Sequence, residues 1–460
     1  MIQRFSMKLN FGDTHTRLVF ALTGIACAAI VPSWMNFDII SMDGAFQYIP
    51  SAELFLDGRF KEALMRPQLP LYPMLMALVA WITGLDLELA GRALSVLCFV
   101  LSAPAMFLLA RLVTGSTNAA IVSVVFLISN PQLLVSSVDC LKESLFICLI
   151  LWGNYLVMKW AESGDSRKKA FFLVGSVLIV LACAVRTIAV FFIVTWLLLW
   201  VFHKKQGFLF RLLLLLLPVV LAVSMVVIFS GSPFFERKGF AIFTLLSVLP
   251  GPRGILEGIP LAIMLFLKIG GPLVMCFAFA GFFLSEKTRY LQHALIVLGL
   301  FFILFVMMGR WTSDRYVLSP VIWLYPLAAN AVVLSWGSSH KIAKFAAVLA
   351  VASGILAWLH AASIPPDPAR VARKHAGQWI LDQLGPGQRV YTNRPRIGYY
   401  ARAIPVDLGK YSKHDPAAAA CIALDIKTDQ GERMLQQLND RGRKPDMKFD
   451  GIHLYIEQRP

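Results

Sequence analysis

Apolar runs about as long as a bilayer is thick recur along this chain, and they fix its class before any motif does. Runs of roughly 20 residues match a hydrocarbon core of about 30 Å. A backbone in lipid must satisfy its own hydrogen bonds, which makes the helix the natural spanning element. Hydrophobic residues are 58% of the 460 and charged residues only 15%, against about 25% charged in a soluble domain. The pattern predicts a mainly α, polytopic transmembrane helical bundle of about 11 spans. They lie near 17–36, 91–113, 118–134, 140–160, 170–185, 187–202, 208–230, 258–283, 291–309, 315–336 and 342–362. Residues 170–202 form one apolar run interrupted by Arg186, read as two short spans with Arg186 at the turn between them.

Charge orders these spans. With the N-terminus inside, the inner loops hold Arg4/Lys8/Arg17, Arg111, Lys159 with Arg167, Lys168 and Lys169, Lys204/Lys205/Arg211, Lys287/Arg289 and Lys341/Lys344. The short outer turns carry far fewer, as the positive-inside rule requires. An odd number of spans then places residues 363–460 outside, on the same face as the loops 37–90 and 231–257. The expectation is a multi-pass protein of the cell inner (plasma) membrane, with a cytoplasmic N-terminus and an extracytoplasmic C-terminal domain. The N-terminal segment MIQRFSMKLNFGDTHTR is polar and basic, and the apolar run after it lacks a small-residue cleavage site, so the first span reads as uncleaved.

The formal net charge is +16. Residues 363–460 carry 16 Lys and Arg against 11 Asp and Glu, and much of the remaining excess sits in short loops. No basic patch with interleaved aromatics is present, which argues against nucleic acid. The seven cysteines are Cys27, Cys98, Cys140, Cys148, Cys183, Cys276 and Cys421. Without a CxxC or Cys/His spacing they indicate neither a disulfide framework nor a zinc site, and read as small apolar fillers.

Two domains are expected: a membrane domain over 1–362 and a small α/β domain over 363–460. Within the first, the outer loop 37–90 is expected to carry two helices along the membrane surface. In YIPSAELFLDGRF, Ile49, Ala52, Leu54, Phe55, Leu56 and Phe60 make an apolar face, and LPLYPMLMALVAWITG is short for a span. The alternative, 70–84 as a short span, would invert everything after it and break the charge bias. In the second domain AGQWILDQL and GERMLQQLND read as helices, and RVYTN, CIALDI and GIHLYIEQ as strands. No Gly-rich phosphate loop or nucleophile elbow occurs there, which suits a lid or acceptor-docking role. The Gly/Pro-rich stretch GSPFFERKGF…LPGPRGILEG reads equally as a mobile lid or an ordinary connector.

Ionisable residues at membrane depth are costly, so each is a candidate functional group. Asp43 directly follows the first span, with Tyr48 after it. It is placed either to accept a proton from an attacking group or to cap the helix that follows. Asp139 and Glu143, at i and i+4, would share one helix face. With Asp43 they could hold a divalent cation or orient an acceptor; otherwise they are a capping acid and a surface Glu143–Lys142 pair. Arg66, Arg92, Arg186, Arg310 and Arg315 fall near the outer face, with Lys142, Arg237 and Lys238 as weaker candidates. Guanidinium forks grip phosphate, so these arginines either bind an outer-leaflet lipid phosphate or snorkel to headgroups and pair with acids such as Asp314.

The order of these motifs resembles one known family. Asp43 and Tyr48 form D-x-x-x-x-Y. P-x-x-P-L-Y-P ends at Pro73, and Gly91-Arg92 opens the next span. A KESLF helix start follows, then the isolated Arg186 and RYVLSPVIWLYPLAA. Over about 1–340, and in the stretch WI…GPGxxVYT…YYAR, the chain is similar to the GT-C superfamily of membrane glycosyltransferases. The branch in view contains protein O-mannosyltransferases and lipid A aminoarabinose transferases. The resemblance implies an inverting transfer of a sugar, hexosyl or pentosyl, from a polyprenyl-phosphate donor on the extracytoplasmic face. The acceptor would be a glycolipid, polysaccharide or protein. Carried over, Asp43 would be catalytic, and Arg66, Arg186, Arg310 and Arg315 would bind donor phosphate. Tyr48, Tyr72, Asp139 and Glu143 would line the acceptor side. The family often has Asp-Glu at the first motif, whereas Gly44 follows Asp43 here. No cofactor is firmly implied, although a divalent cation is compatible with the acids. The competing class is a transporter, a polyprenyl-lipid flippase or a small-solute permease, against which stand the structured outer loop and the absence of inverted repeats.

Overall fold

The computed structural model describes residues 14–36, 40–66, 68–163, 169–201, 252–284, 288–308, 314–363, 367–407, 421–440, 442 and 444–456. The expected span 208–230, most of the loop 231–257, Arg237, Lys238 and Arg310 lie outside them. The chain divides into two compact units: Met1–Trp34 with Tyr48–Ser363, and Met35–Gln47 with Ile364–Pro460. The strip 35–47, expected as the end of the first span and the start of the outer loop 37–90, therefore belongs with the second unit.

The described helices of the first unit are α1 (Thr14–Asn36), α2 (Ile49–Leu56), α3 (Phe60–Leu64), α4 (Leu71–Thr83), α5 (Leu87–Thr114), α6 (Thr117–Ile128), α7 (Pro131–Val138), α8 (Glu143–Ser163), α9 (Lys169–Cys183), α10 (Val190–Val201), α11 (Pro252–Gly270), α12 (Pro272–Leu284), α13 (Thr288–Met308), α14 (Asp314–Gly337) and α15 (Lys341–Ser363). By length and composition, five are fit to cross a membrane, or seven if each of two bent pairs is one span. Apolar segments of α4, α9, α10 and α13 are shorter than that.

Both bent pairs depart from the straight spans expected at 118–134 and 258–283. α6 and α7 meet at 58°, and α11 and α12 at 104°. The causes are local. Asn130 accepts a hydrogen bond from the Leu133 amide as the N-cap of α7, with Pro131 at its first position. Gly271 adopts φ +78° between α11 and α12. A broken helix exposes backbone groups that must find partners. Asn130 repairs part of this: its Nδ2 donates to the Ile269 carbonyl at 2.9 Å, at the end of α11, and to the Tyr325 hydroxyl at 2.7 Å. One break thus helps to satisfy the other. Close helix contact needs small residues. A Cβ on Gly281 of α12 would stand 2.3 Å from the Leu327 carbonyl oxygen of α14.

The surface segment also differs from expectation. The single helix expected over YIPSAELFLDGRF is two, α2 and α3, separated at Gly58, where φ is +71°. The expected apolar face splits with them: Ile49, Ala52, Leu54 and Phe55 are buried, whereas Leu56 and Phe60 are exposed.

The second unit is a mixed sheet of β1 (Arg389–Thr392), β2 (Ile404–Asp407), β3 (Cys421–Asp425), β4 (Met447–Phe449) and β5 (Ile452–Ile456), in the order β2-β1-β3-β5-β4. β1 runs parallel to both β2 and β3; β5 is antiparallel to β3 and β4. Alternation along the strands divides the core in two. Val390, Cys421, Ala423 and Leu454 pack with α16 (Pro368–Leu384) and α17 (Pro395–Tyr400). Tyr391, Ile422, Leu424 and Tyr455 pack with α18 (Asp429–Asp440). GYYAR, left unassigned in the sequence, closes α17; β2 and β4 are strands that sequence reading missed. The strip 35–47 is held here by the Ile40 amide donating to the Tyr400 hydroxyl at 3.0 Å and by Phe46 edge-on to Tyr399.

Candidate active site

Glu143 is the first residue of α8, where a carboxylate faces the positive end of the helix dipole. Its side chain is 1% exposed, so it is not the surface partner of Lys142 that the sequence allows. Its Oε1 lies 3.3 Å from Arg186 Nη2 and 3.9 Å from Arg315 Nη1. Arg186 sits in the break between α9 and the short turn Thr187–Ala189 that leads into α10. Its Nη1 donates to the Arg315 carbonyl at 2.9 Å, and its guanidinium lies 4.8 Å from the Tyr316 ring centroid. Arg186 is buried, while the Arg315 side chain is 32% exposed. Three elements distant in sequence therefore place two cations on one buried anion. Glu143 Oε2 is buried and has no hydrogen-bond partner among the described residues.

The other expected site residues separate into two groups. Asp139 does not share a helix face with Glu143, because α7 ends at Val138 and α8 begins only at Glu143. Asp139 is buried in the turn between them, its Oδ1 accepting from the Cys140 amide at 2.7 Å. Tyr72, expected at the acceptor side, is fully buried. Its hydroxyl donates to the Gly91 carbonyl at 3.1 Å and lies 2.8 Å from Ser95 Oγ, so it knits α4 to α5. Tyr48 is buried edge-on to the Tyr72 ring at 5.2 Å, with Lys142 Nζ 5.7 Å from its own ring centroid. Arg92 donates to the Val138 and Trp34 carbonyls and stacks on Trp34, which makes it a packing residue. Arg66 is exposed beyond α3 and makes no ion pair among the described residues.

Asp43 is half-buried on the strip 35–47 of the second unit and accepts from Gln47 Nε2 at 2.9 Å. The alternative reading pairs the arginines with Asp314, and that acid instead has a lysine partner. Asp314 lies 2.5 Å from Lys268 Nζ, a residue that sequence reading did not single out. Among the described residues, no group of three or more His, Cys, Asp or Glu could hold a metal ion.

Comparison with known proteins bears on what this arrangement belongs to. Residues 80–235 match the family model described as dolichyl-phosphate-mannose-protein mannosyltransferase. The structure of ArnT from Cupriavidus metallidurans bound to undecaprenyl phosphate is similar to this chain over 95% of it and 98% of ArnT, with a TM-score of 0.62 and 14% identity. The fold is that of ArnT. The apo form of the same ArnT matches with a TM-score of 0.62 and 14% identity, over 96% of this chain and 98% of that one. The Archaeoglobus fulgidus oligosaccharyltransferase, in complex with zinc and sulfate, matches 91% of this chain and 69% of its own, with a TM-score of 0.54 and 14% identity. No curated protein matches the sequence.

Proposed function

We propose that this chain is an integral membrane glycosyltransferase that moves a sugar from a polyprenyl-phosphate donor to an acceptor on the extracytoplasmic face. The observation that carries the reading is the buried Glu143 with Arg186 and Arg315 on one oxygen. Two guanidiniums meet on one carboxylate, and the half-open Arg315 is where a phosphate would reach them. When the bond between the anomeric carbon and the phosphate oxygen breaks, charge grows on that phosphate. Preorganised cations in a dry site stabilise such charge far better than water does. Arg66 and Arg310 remain proposed phosphate ligands of secondary rank.

Asp43 is the proposed general base. It takes the proton from the acceptor hydroxyl or amine as that group attacks the anomeric carbon. The configuration inverts, and polyprenyl phosphate leaves. The buried Glu143 Oε2, without a partner among the described residues, would accept a hydrogen bond from a substrate hydroxyl, and Asp139 and Tyr48 are proposed to line the acceptor side. Apolar grooves suit an isoprenoid tail, among them one of about 460 Å³ lined by Phe266, Met275, Phe279 and Phe302. The similarity to an ArnT structure that holds undecaprenyl phosphate supports a lipid-phosphate donor. The orientation proposed is that of the charge bias, with the N-terminus cytoplasmic and residues 363–460 outside.

The deciding assay is sugar release from radiolabelled polyprenyl-phosphate donors by purified protein in lipid, wild type against Asp43→Asn. Loss of a general base costs about 10²- to 10⁴-fold. Transfer by Asp43→Asn near the wild-type rate would remove Asp43 from the mechanism. No transfer from any donor, with lipid translocation across vesicles instead, would move the protein to the flippase class.

A further inference from the structure

In the second unit, the connections leaving β1 and β3 diverge. β1 continues into α17 on one face and to β2 on one side; β3 continues into α18 on the other face. In open α/β sheets such a switch point opens a crevice beyond the carboxyl ends of the two parallel strands, where ligands bind. The residues at those ends are Asn393, Arg394 and Asp425, with Arg373 reaching in from α16.

Asp425 is buried, with a side chain 4% exposed. Its Oδ2 accepts from Arg373 Nη2 at 3.1 Å and from Arg394 Nε at 2.8 Å, and its Oδ1 accepts from the Lys427 amide at 3.1 Å. Asn393 fixes the loop by donating to the Asp425 carbonyl at 3.0 Å and to Thr428 Oγ1 at 2.7 Å, and by accepting from the Asp425 amide at 3.0 Å. Gly431 in the first turn of α18 is obligatory here, since a Cβ would stand 2.0 Å from the Asp425 carbonyl oxygen. The anion is thus saturated while the cations are not. Arg373 Nε is buried and has no hydrogen-bond partner among the described residues. Arg394 spends only Nε on the carboxylate, so both its terminal nitrogens lack a partner among the described residues, in a side chain 37% exposed. Lys427 does not compensate the excess, being paired with Asp450 at 3.0 Å.

We propose that this crevice is a binding site for a singly charged oxoanion, the carboxylate of an acidic sugar or a phosphodiester. The net charge of two arginines and one aspartate matches a monoanion. The terminal nitrogens of Arg394 present the planar fork that grips two oxygens of such a group. Asp425 holds that fork in place and is a positioning residue.

The test uses the full chain in nanodiscs, with hydrogen exchange followed by mass spectrometry. One arm adds glucuronate or dimethyl phosphate at constant ionic strength. The other replaces phosphatidylcholine with phosphatidylglycerol. Ligand at ten times its dissociation constant slows exchange through opening by about tenfold. The expected result is protection confined to peptides covering 393–396 and 425–431, absent in Arg394→Gln. Protection by glucuronate assigns the site to a sugar-borne carboxylate, by dimethyl phosphate without glucuronate to a soluble phosphodiester, and in the lipid arm alone to a headgroup. No protection at these peptides in wild type with any of the three probes overturns the proposal. Protection confined to peptides holding Glu143, Arg186 and Arg315 overturns it as well, and leaves the donor-phosphate reading standing.

Discussion

Replacing Arg186 by Met tests the physical core of the candidate active site. At 3.3 Å the Arg186–Glu143 attraction is about 5 kcal/mol for an effective dielectric near 20. Most of that offsets the cost of taking both charges out of water, so the pair itself adds little net stability. Removing one partner is a different matter, because the buried carboxylate keeps its desolvation cost. Breaking a buried pair costs about 3–5 kcal/mol. Arg315 remains 3.9 Å away but is 32% exposed and screened by solvent, so it recovers only part of the loss. The expected destabilisation is about 3 kcal/mol, including the hydrogen bond to the Arg315 carbonyl. Glu143→Gln should cost a similar amount, since it leaves two cations side by side. The double variant should cost less than the sum, with a coupling of about 2 kcal/mol. Equilibrium unfolding in mixed micelles of the four proteins measures this cycle. Additivity within about 0.5 kcal/mol would refute the reasoning and return Glu143 and Arg186 to independent roles.

Two further outcomes follow from the geometry. Tyr72→Phe removes the bonds to the Gly91 carbonyl and Ser95, while Ser95 Oγ keeps the Leu141 carbonyl at 3.0 Å. It should cost about 1 kcal/mol of stability and leave kcat/KM unchanged; a fall in kcat/KM with stability intact would restore an acceptor role. Asp425 titrates below the usual aspartate range. Burial pushes its carboxyl up, but the Arg394 hydrogen bond, the Lys427 amide and the two guanidinium charges outweigh it. A folded pKa below the unfolded value of about 3.9 means stability that is present above that pH and lost as pH falls through the folded pKa. The stability gap between wild type and Asp425→Asn should therefore close as pH drops below about 4. A gap constant from pH 7 to 3 in thermal unfolding would show that the charge is not what matters.

The parts of the fold legible in the sequence are those set by local pattern. Apolar runs marked the long helices, and β-branched or aromatic clusters in RVYT, CIALD and IHLYI marked the interior strands. The two missed strands are edges of the sheet: IPVD contains a proline, and MKF is only three residues long. The helix breaks were also written in the chain, as Asn130-Pro131 and Gly270-Gly271-Pro272. Hydropathy averaged over a span hides them, because the flanking residues stay apolar. What no local pattern carries is the convergence of Glu143, Arg186 and Arg315. An acid at a helix start reads as a cap, and nothing near it announces two arginines arriving from other helices.

The two units use the same device with opposite remainders. Each buries one carboxylate under two guanidiniums, Glu143 in the first and Asp425 in the second. Around Glu143 an acceptor atom, Oε2, is left over. Around Asp425 the carboxylate is satisfied and donors are left over, on Arg373 and Arg394. A buried polar atom without a partner costs about 1–3 kcal/mol, which a ligand of the right polarity recovers. The first site should therefore favour a group that brings a donor, such as a sugar hydroxyl. The second should favour a group that brings only acceptors. A carboxylate added as ligand ought then to bind the second unit in preference to Glu143, and a neutral polyol should show no preference for Arg394 at all.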